Sequence, residues 1–446
     1  MKLPILSGIY TDASPEFHTS YPVNMVPVVL DTGINDGYLM PGEGIVEVTT
    51  GPGTDRGGIV WNGRHFRVMG TKLVVIDGTV VTTLGEVGTL NRAQFDYSFD
   101  YLAVASDGRL FLCDGMTVTQ IPDGDIGQVI DVIWIDGFFM TTDGESLVVT
   151  ELNDPFSVNP LKYGSSEADP DPVVALLKLR NEAIAVNRHT IEFFDNVGGD
   201  LFPFQRIEGA QIQKGAVGTD ACCVFEQSIA FLGSARNEEV SVYLGANGTT
   251  LKIASGEIDA ILAEYSDDEL AEAVVEGRSD TDRRFLYVHL PDRALVYDAT
   301  ASTEMNVPVW FVLTTATEGF EAYQASGFTL VDGTWYCGHS NKLGRLSRDV
   351  ATHWGAKVRW EFGTIIVYNE GRGALFHELE LCSLTGAVAI GATPYVSTSY
   401  SIDGRDWSQD RSISAGTQGQ RDKRLVWLQN GMMRNWRAQR FRGDSD

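Results

Sequence analysis

Seven histidines are the side chains best suited to proton transfer or metal ligation, and their spacing argues against both. His18, His65, His189, His289, His339, His353 and His377 fall in no HExxH or HxH pattern, the spacings that bring two imidazoles to one metal. His289 stands in RRFLYVHLPDRALVYDAT (Arg283–Thr300), next to a Leu-Pro-Asp corner. No Ser or Cys nucleophile motif lies near it, so this histidine reads as part of a strand hairpin. The chain has no GxSxG, no Walker loop and no GxGxxG opening a helix. PDGDIG (Pro122–Gly127) and DPDP (Asp169–Pro172) place carboxylates close together, as a calcium loop does. Neither has the ligand run of an EF-hand, and both read as connecting loops. The expectation is therefore no catalytic residue, no cofactor and no metal.

Cys113, Cys222, Cys223, Cys337 and Cys382 are an odd set without a CxxC spacing. They read as buried, reduced thiols of a chain folded in a reducing cytoplasm. SIDGRDW (Ser401–Trp407) resembles the Asp-box of sialidase propellers, but those enzymes carry several such boxes with an arginine cluster and a Tyr nucleophile, and here there is one, outside the propeller. It reads as a tight Asp-Gly turn clamped by Trp407. Two alternatives stay open: a propeller glycosidase or sialidase-like enzyme, with paired carboxylates in a cup, and a carbohydrate-binding adhesin with exposed Trp.

The formal net charge is -26 over 446 residues, which excludes a protein that coats nucleic acid, because that needs a positive field. Acidity of this kind fits either a functional role or a saline habitat. One stretch has the opposite sign. Arg421, Lys423, Arg424, Arg434, Arg437, Arg440 and Arg442 gather near the C-terminus, as a docking surface for an acidic partner would. No run of about 18 apolar residues exists, so no membrane-spanning helix is expected. The opening MKLPILSGIYTDASPEF is too short and too broken to read as a signal peptide.

The elements that would hold these residues are strands. IVWNGRHFRVMGTKLVVIDGTVVTTL (59–84) alternates apolar and polar residues around Asn62-Gly63, Met69-Gly70 and Asp77-Gly78, and Asn-Gly and Asp-Gly favour tight hairpin turns. Similar units follow at 101–121, 132–152, 176–194, 222–244 and 327–347. Their spacing brackets the propeller-blade period of roughly 40–50 residues. The expected fold is mainly β: a β-propeller of six or seven blades over 51–355. A pair of sandwiches is the rival. ASGEIDAILAEYSDDELAEAVVEGRSD (254–280) has helical spacing and predicts an inserted helical hairpin over 255–277. Ile258, Ile261, Leu262 and Tyr265 form one apolar face, and a capping box at Ser266 and Glu269 starts a second helix with Leu270 and Val274 inward. Residues 356–446 predict an antiparallel β-domain, a platform that the extended residues 1–50 could join. The connector 154–172 is Pro- and Ser-rich, and Tyr163, Ser165, Ser166, Asp169 and Asp171 are its candidate channel-gate residues.

The ordered set YPVNM (Tyr21–Met25), HTIEFFDNVG (His189–Gly198), QKGAVGT (Gln213–Thr219), IASGEIDAILAEYSDDELAEAVVE (Ile253–Glu276) and LYVHLPDRALVYDA (Leu286–Ala299) resembles the packaged-DNA stabilisation, or tail hub and nozzle, proteins of podovirus-type phages. SIDGRDW and the DKRLVW run (Asp422–Trp427) extend the likeness more weakly. The resemblance implies a non-enzymatic virion protein, assembled in the host bacterial cytoplasm and placed in the phage tail. It implies a homo-hexameric ring below the portal adaptor (head-completion) protein. That ring continues the DNA channel, helps retain packaged DNA, passes double-stranded DNA at ejection, and contacts a tail needle and tail fibre or spike proteins. It also implies a β-propeller with added platform β-domains.

Overall fold

The structure is a computed structural model of the whole chain. It describes Ile5 and residues 21–30, 37–89, 91–166, 169–364, 366–388, 391–403 and 406–445. The chain divides into two compact units. One holds residues 47–291 with 324–346, and the other holds residues 1–46, 292–323 and 347–446.

The first unit is a ring of antiparallel blades. Four consecutive strands make each of the first four blades: Asp55–Trp61 to Val80–Glu86, Gln94–Tyr97 to Val118–Gln120, Asp131–Ile135 to Asp154–Ser165, and Val173–Leu179 to Phe204–Arg206. In the fifth blade the inner edge is split into Gly215–Ala216 and Cys222–Phe225. Val274–Ser279 and Arg284–His289 are the inner strands of the sixth. The seventh blade runs Ser326–Val331, Thr334–His339 and Lys342–Ser347 and takes its outer strand from Gly44–Thr50, far upstream. The seven inner strands adjoin in chain order, and Ser326–Val331 lies against Asp55–Trp61, so the ring closes. The fold is a seven-bladed propeller, the upper of the two counts expected.

Turn chemistry follows the sequence. Asn62 and Gly63 both take positive φ, 48° and 71°, as a two-residue hairpin requires. Simple apolar-polar alternation does not survive folding. Leu286, Tyr287 and Val288 are all buried, because a blade has a neighbouring sheet on each face. Ile133, Met140, Leu147 and Val149 of the third blade meet Leu176, Ala183 and Phe194 of the fourth in one apolar core. On its other face the third blade packs Val132 and Phe139 against Ala103, Leu110 and Leu112 of the second.

The helical segment is shorter than expected. Gly256–Leu262 is capped by Ser255, and Asp267–Ala271 by the Ser266–Glu269 capping box. Val274 does not face inward from a helix: it opens the inner strand of the sixth blade. The cysteine reading also needs correction. All five are free, but Cys382 is exposed and Cys223 only half-buried.

The second unit contains the sheet Arg359–Gly363, Trp436–Asp444, Tyr395–Ser401 and Arg411–Ser414, in that spatial order. Glu378–Leu381 pairs with Leu425–Leu428. Phe362, Val396, Leu425, Trp427 and Phe441 form its core, and Met25 and Leu39 of the N-terminal ribbon pack against it.

Candidate functional site

The blades of the propeller are joined across its axis by acidic side chains. Asp96, Asp131 and Glu276 stand in inner strands, and each reaches the main chain of the next blade. Asp96 of the second blade accepts from the Trp134 amide of the third at 2.6 Å and from Lys178 Nζ of the fourth at 2.8 Å. Asp131 of the third accepts from its neighbour Val132 N at 2.7 Å and from Leu176 N of the fourth at 2.7 Å. Glu276 of the sixth accepts from Gly327 N at 2.9 Å and Phe328 N at 3.1 Å, both in the seventh. Arg92 bonds Glu276 at 2.7 Å and lies 3.3 Å from Asp220, which also takes Gln94 Nε2 at 2.9 Å. An inward strand edge would otherwise leave amides unpaired in a narrow bore, and the carboxylates satisfy them.

These groups line an axial cavity of about 290 Å³ with Thr219 and Cys222. Its electrostatics are uneven. Burial pushes Asp131 up to about 7, with Asp220 and Asp96 adding to the shift against its two amide bonds. Burial also works against the Glu276 charge, but Arg92, His289 and two amides outweigh it and hold this carboxyl below its ordinary value. His289 itself is lowered to about 4 by burial, despite Glu276. It stacks on Tyr287 with centroids 5.9 Å apart, which is an architectural setting. Among the described residues no three His, Cys, Asp or Glu converge as a metal set.

A raised carboxylate makes the folded state bind a proton that the unfolded state has released. Stability from Asp131 is therefore greatest near pH 4 and falls as pH rises through about 7. We expect wild type to lose about 1–2 kcal/mol between pH 6 and 8 relative to Asp131→Asn, read by urea unfolding at each pH. A constant difference across that range would show that Asp131 does not titrate there.

The basic residues near the C-terminus are not one surface. Arg437 is buried. Its guanidinium lies between Tyr400 at 3.9 Å and Phe376 at 4.4 Å and bonds Gln439 and the Asn430 carbonyl, and burial lowers it to about 10. Arg440 is half-buried over Trp407 at 4.1 Å. Arg424 pairs with Glu378 and Glu380, and Arg442 with Asp410. Arg421 and Arg434 are exposed and carry no ion pair among the described residues, and Lys423 is half-buried. The docking reading therefore loses Arg437, because a buried arginine cannot meet a partner.

Most of the gate segment is likewise not a loop. Tyr163 and Ser165 belong to the twelve-residue outer strand Asp154–Ser165, whose Val158 amide is held by Asp123 at 2.9 Å. Ser166 is buried and accepts from Asn187 Nδ2. Asp171 accepts from the His189 amide and Thr190 Oγ1, and Asp169 pairs with Arg236. To close a bore this strand would have to leave its sheet. In SIDGRDW, Asp403 accepts from Ser401 Oγ and the Asp406 amide, and Gly404 and Arg405 lie outside the described residues.

Comparison with known proteins decides the family. The P22 Gp10 β-propeller family matches residues 1–351, and the P22 Gp10 β-sandwich family matches residues 359–446. The chain belongs to the P22 Gp10 family. It is similar to the tail hub protein gp10 of Salmonella phage P22, at 26% identity over 459 positions covering 97% of this chain and 94% of that one. Among solved structures it is similar to the WD40 domain of Pan2 from Neurospora crassa (11% identity, 68% of this chain, 95% of that one, TM-score 0.45). It is also similar to PorZ of Porphyromonas gingivalis (12%, 83% of this chain, 46% of that one, TM-score 0.40). As a Gp10-family chain it combines a propeller with a β-sandwich. The axial acids of its propeller escaped sequence reasoning. Their only local sign is a carboxylate inside or abutting an apolar run, as in DVIWI (131–135) or VVEG (274–277).

Proposed function

We propose that this Gp10-family chain works as a structural phage tail hub, a virion component of the tail. Family membership over both domains supports that reading. In the finer reading six copies form a ring below the portal adaptor protein and continue the DNA channel. The ring helps retain packaged DNA and lets it pass at ejection. Assembly takes place in the host cytoplasm, and a needle and fibre or spike proteins are further partners. No catalysis enters this role. The excess of 60 Asp and Glu over 34 Lys and Arg supports a bore that repels phosphate, since cationic contacts are what make DNA slow to release. Exposed Arg421 and Arg434 suit an acidic face of the adaptor.

A density map of intact particles tests the reading. It is expected to place six copies around the tail axis, against the adaptor. Another copy number would overturn the hexamer alone, and a position off the axis would overturn the channel role. Arg421→Glu with Arg434→Glu should weaken adaptor binding at least tenfold at low salt. Unchanged affinity would remove those arginines from the interface.

A further inference from the structure

In each blade the turns from first to second and from third to fourth strand emerge on one face of the propeller ring, and the second-to-third turn on the other. Exposed apolar side chains are divided very unequally between the faces. Among the described residues of this unit, the exposed large apolar side chains sit on or beside turns of the first kind, apart from Leu161 and Tyr163 in the third blade's outer strand and Leu251 in the fifth's. Phe99, 86% exposed, and Met116, 78% exposed, stand out furthest.

Both are presented on locked turns. Ser98 Oγ accepts from the Tyr101 amide at 2.9 Å and the Asp100 amide at 3.3 Å, which fixes the turn bearing Phe99. Asp114 Oδ1 accepts from the Met116 and Thr117 amides at 2.8 and 2.7 Å, which fixes the turn bearing Met116. The first blade ties the two together: Trp61 Nε1 donates to the Ser98 carbonyl at 3.0 Å and Arg64 Nη1 to the Gly115 carbonyl at 2.7 Å. Rigid apolar tips of this kind lose little entropy on binding and are typical interface anchors. The border is acidic. Asp77, Asp100, Asp114, Asp136, Asp154 and Asp200 are exposed on the same face, and Asp114 is held below its ordinary value by the Thr117 and Met116 amides. Among the described residues Arg64, Arg180, Arg283 and Arg284 are cations on or beside those turns, fewer than the acids.

We infer that this face is a protein-docking surface whose occupant is a different tail protein, one that offers an apolar socket bordered by Lys and Arg. Charge complementarity selects that occupant. A second copy meeting face to face would set carboxylates against carboxylates, and nucleic acid would be repelled. The inference rests on the tail-hub reading and adds a specific surface to it.

Hydroxyl-radical labelling of the purified chain and of intact particles tests it. Met116 and Phe99 should label fully in the free chain and at least tenfold more slowly in particles. Equal labelling in particles would overturn the proposal. Protection that already appears in concentrated free chain would also overturn it, by making a second copy the occupant. Phe99→Ser with Met116→Ser should cut infectious yield at least tenfold with an unchanged Tm, and a normal yield would count against it. Absence of the chain from particles would instead defeat the tail-hub reading, so the two failures are distinguishable.

Discussion

Asp55→Ala is expected to destabilise the propeller by about 3–5 kcal/mol, because it strands a buried arginine. Arg67 is fully buried and Asp55 almost so, and their bidentate contact is 2.6 Å on each arm. The remaining nitrogen of Arg67 donates to the Gly327 carbonyl at 2.9 Å. Asp55 and Arg67 belong to the first blade and Gly327 to the seventh, so this pair staples the seam where the ring closes. The space around it is full. A Cβ on Gly338 would lie 2.0 Å from Asp55 Oδ2, so only glycine fits there. Arg67→Ala should cost a similar amount, since it leaves Asp55 and the Gly327 carbonyl without their donor. Asp55→Ala with Arg67→Met should cost less than the sum of the singles, because no uncompensated charge remains. Urea unfolding of the four proteins measures all of this. Additive losses would show that the two side chains do not act as a pair.

The seam also shows what the sequence could reveal and what it could not. Asn62-Gly63 and the capping box at Ser266 are local patterns with a local cause, so hairpins and the second short helix were readable. Blade count was not. The fifth blade divides its inner edge between Gly215–Ala216 and Cys222–Phe225, which hides its start. The seventh borrows Gly44–Thr50 from the other end of the chain, and no local pattern announces such a partner. The axial acids failed to show for a related reason. Asp96, Asp131, Asp220 and Glu276 lie in different blades, and only ring closure brings them around one cavity. Arg437 misled in the opposite sense. It sits among exposed arginines in sequence, yet the rings of Tyr400 and Phe376 and its bond to Gln439 take it inside.

Acidification should unfold this protein well above the pH at which ordinary carboxylates protonate. Burial lowers His65 to about 3, with Arg67 adding to the effect, and lowers His289 and His353 to about 4. Their ordinary value is 6.5. Each is neutral when folded and takes a proton when unfolded, so the unfolded state binds more protons between about pH 4 and 6.5, and stability falls as pH drops through that window. Between pH 7.5 and 4.5 the loss is about 2–3 kcal/mol for each histidine. On the propeller Asp131 opposes it, gaining stability as it protonates below about 7, but one carboxyl does not offset the two imidazoles there. His65 and His289 act on the propeller, where His65 Nε2 meets Thr329 Oγ1 at 2.8 Å across the seam. His353 acts on the other unit, where Nδ1 meets Thr315 Oγ1 at 3.1 Å. His65→Gln and His289→Gln should therefore each flatten the pH dependence of propeller unfolding, and His353→Gln that of the sandwich unit. Calorimetry from pH 7.5 to 4.5 separates the two transitions. An unchanged pH slope in a variant would show that the replaced histidine is already protonated in the folded chain.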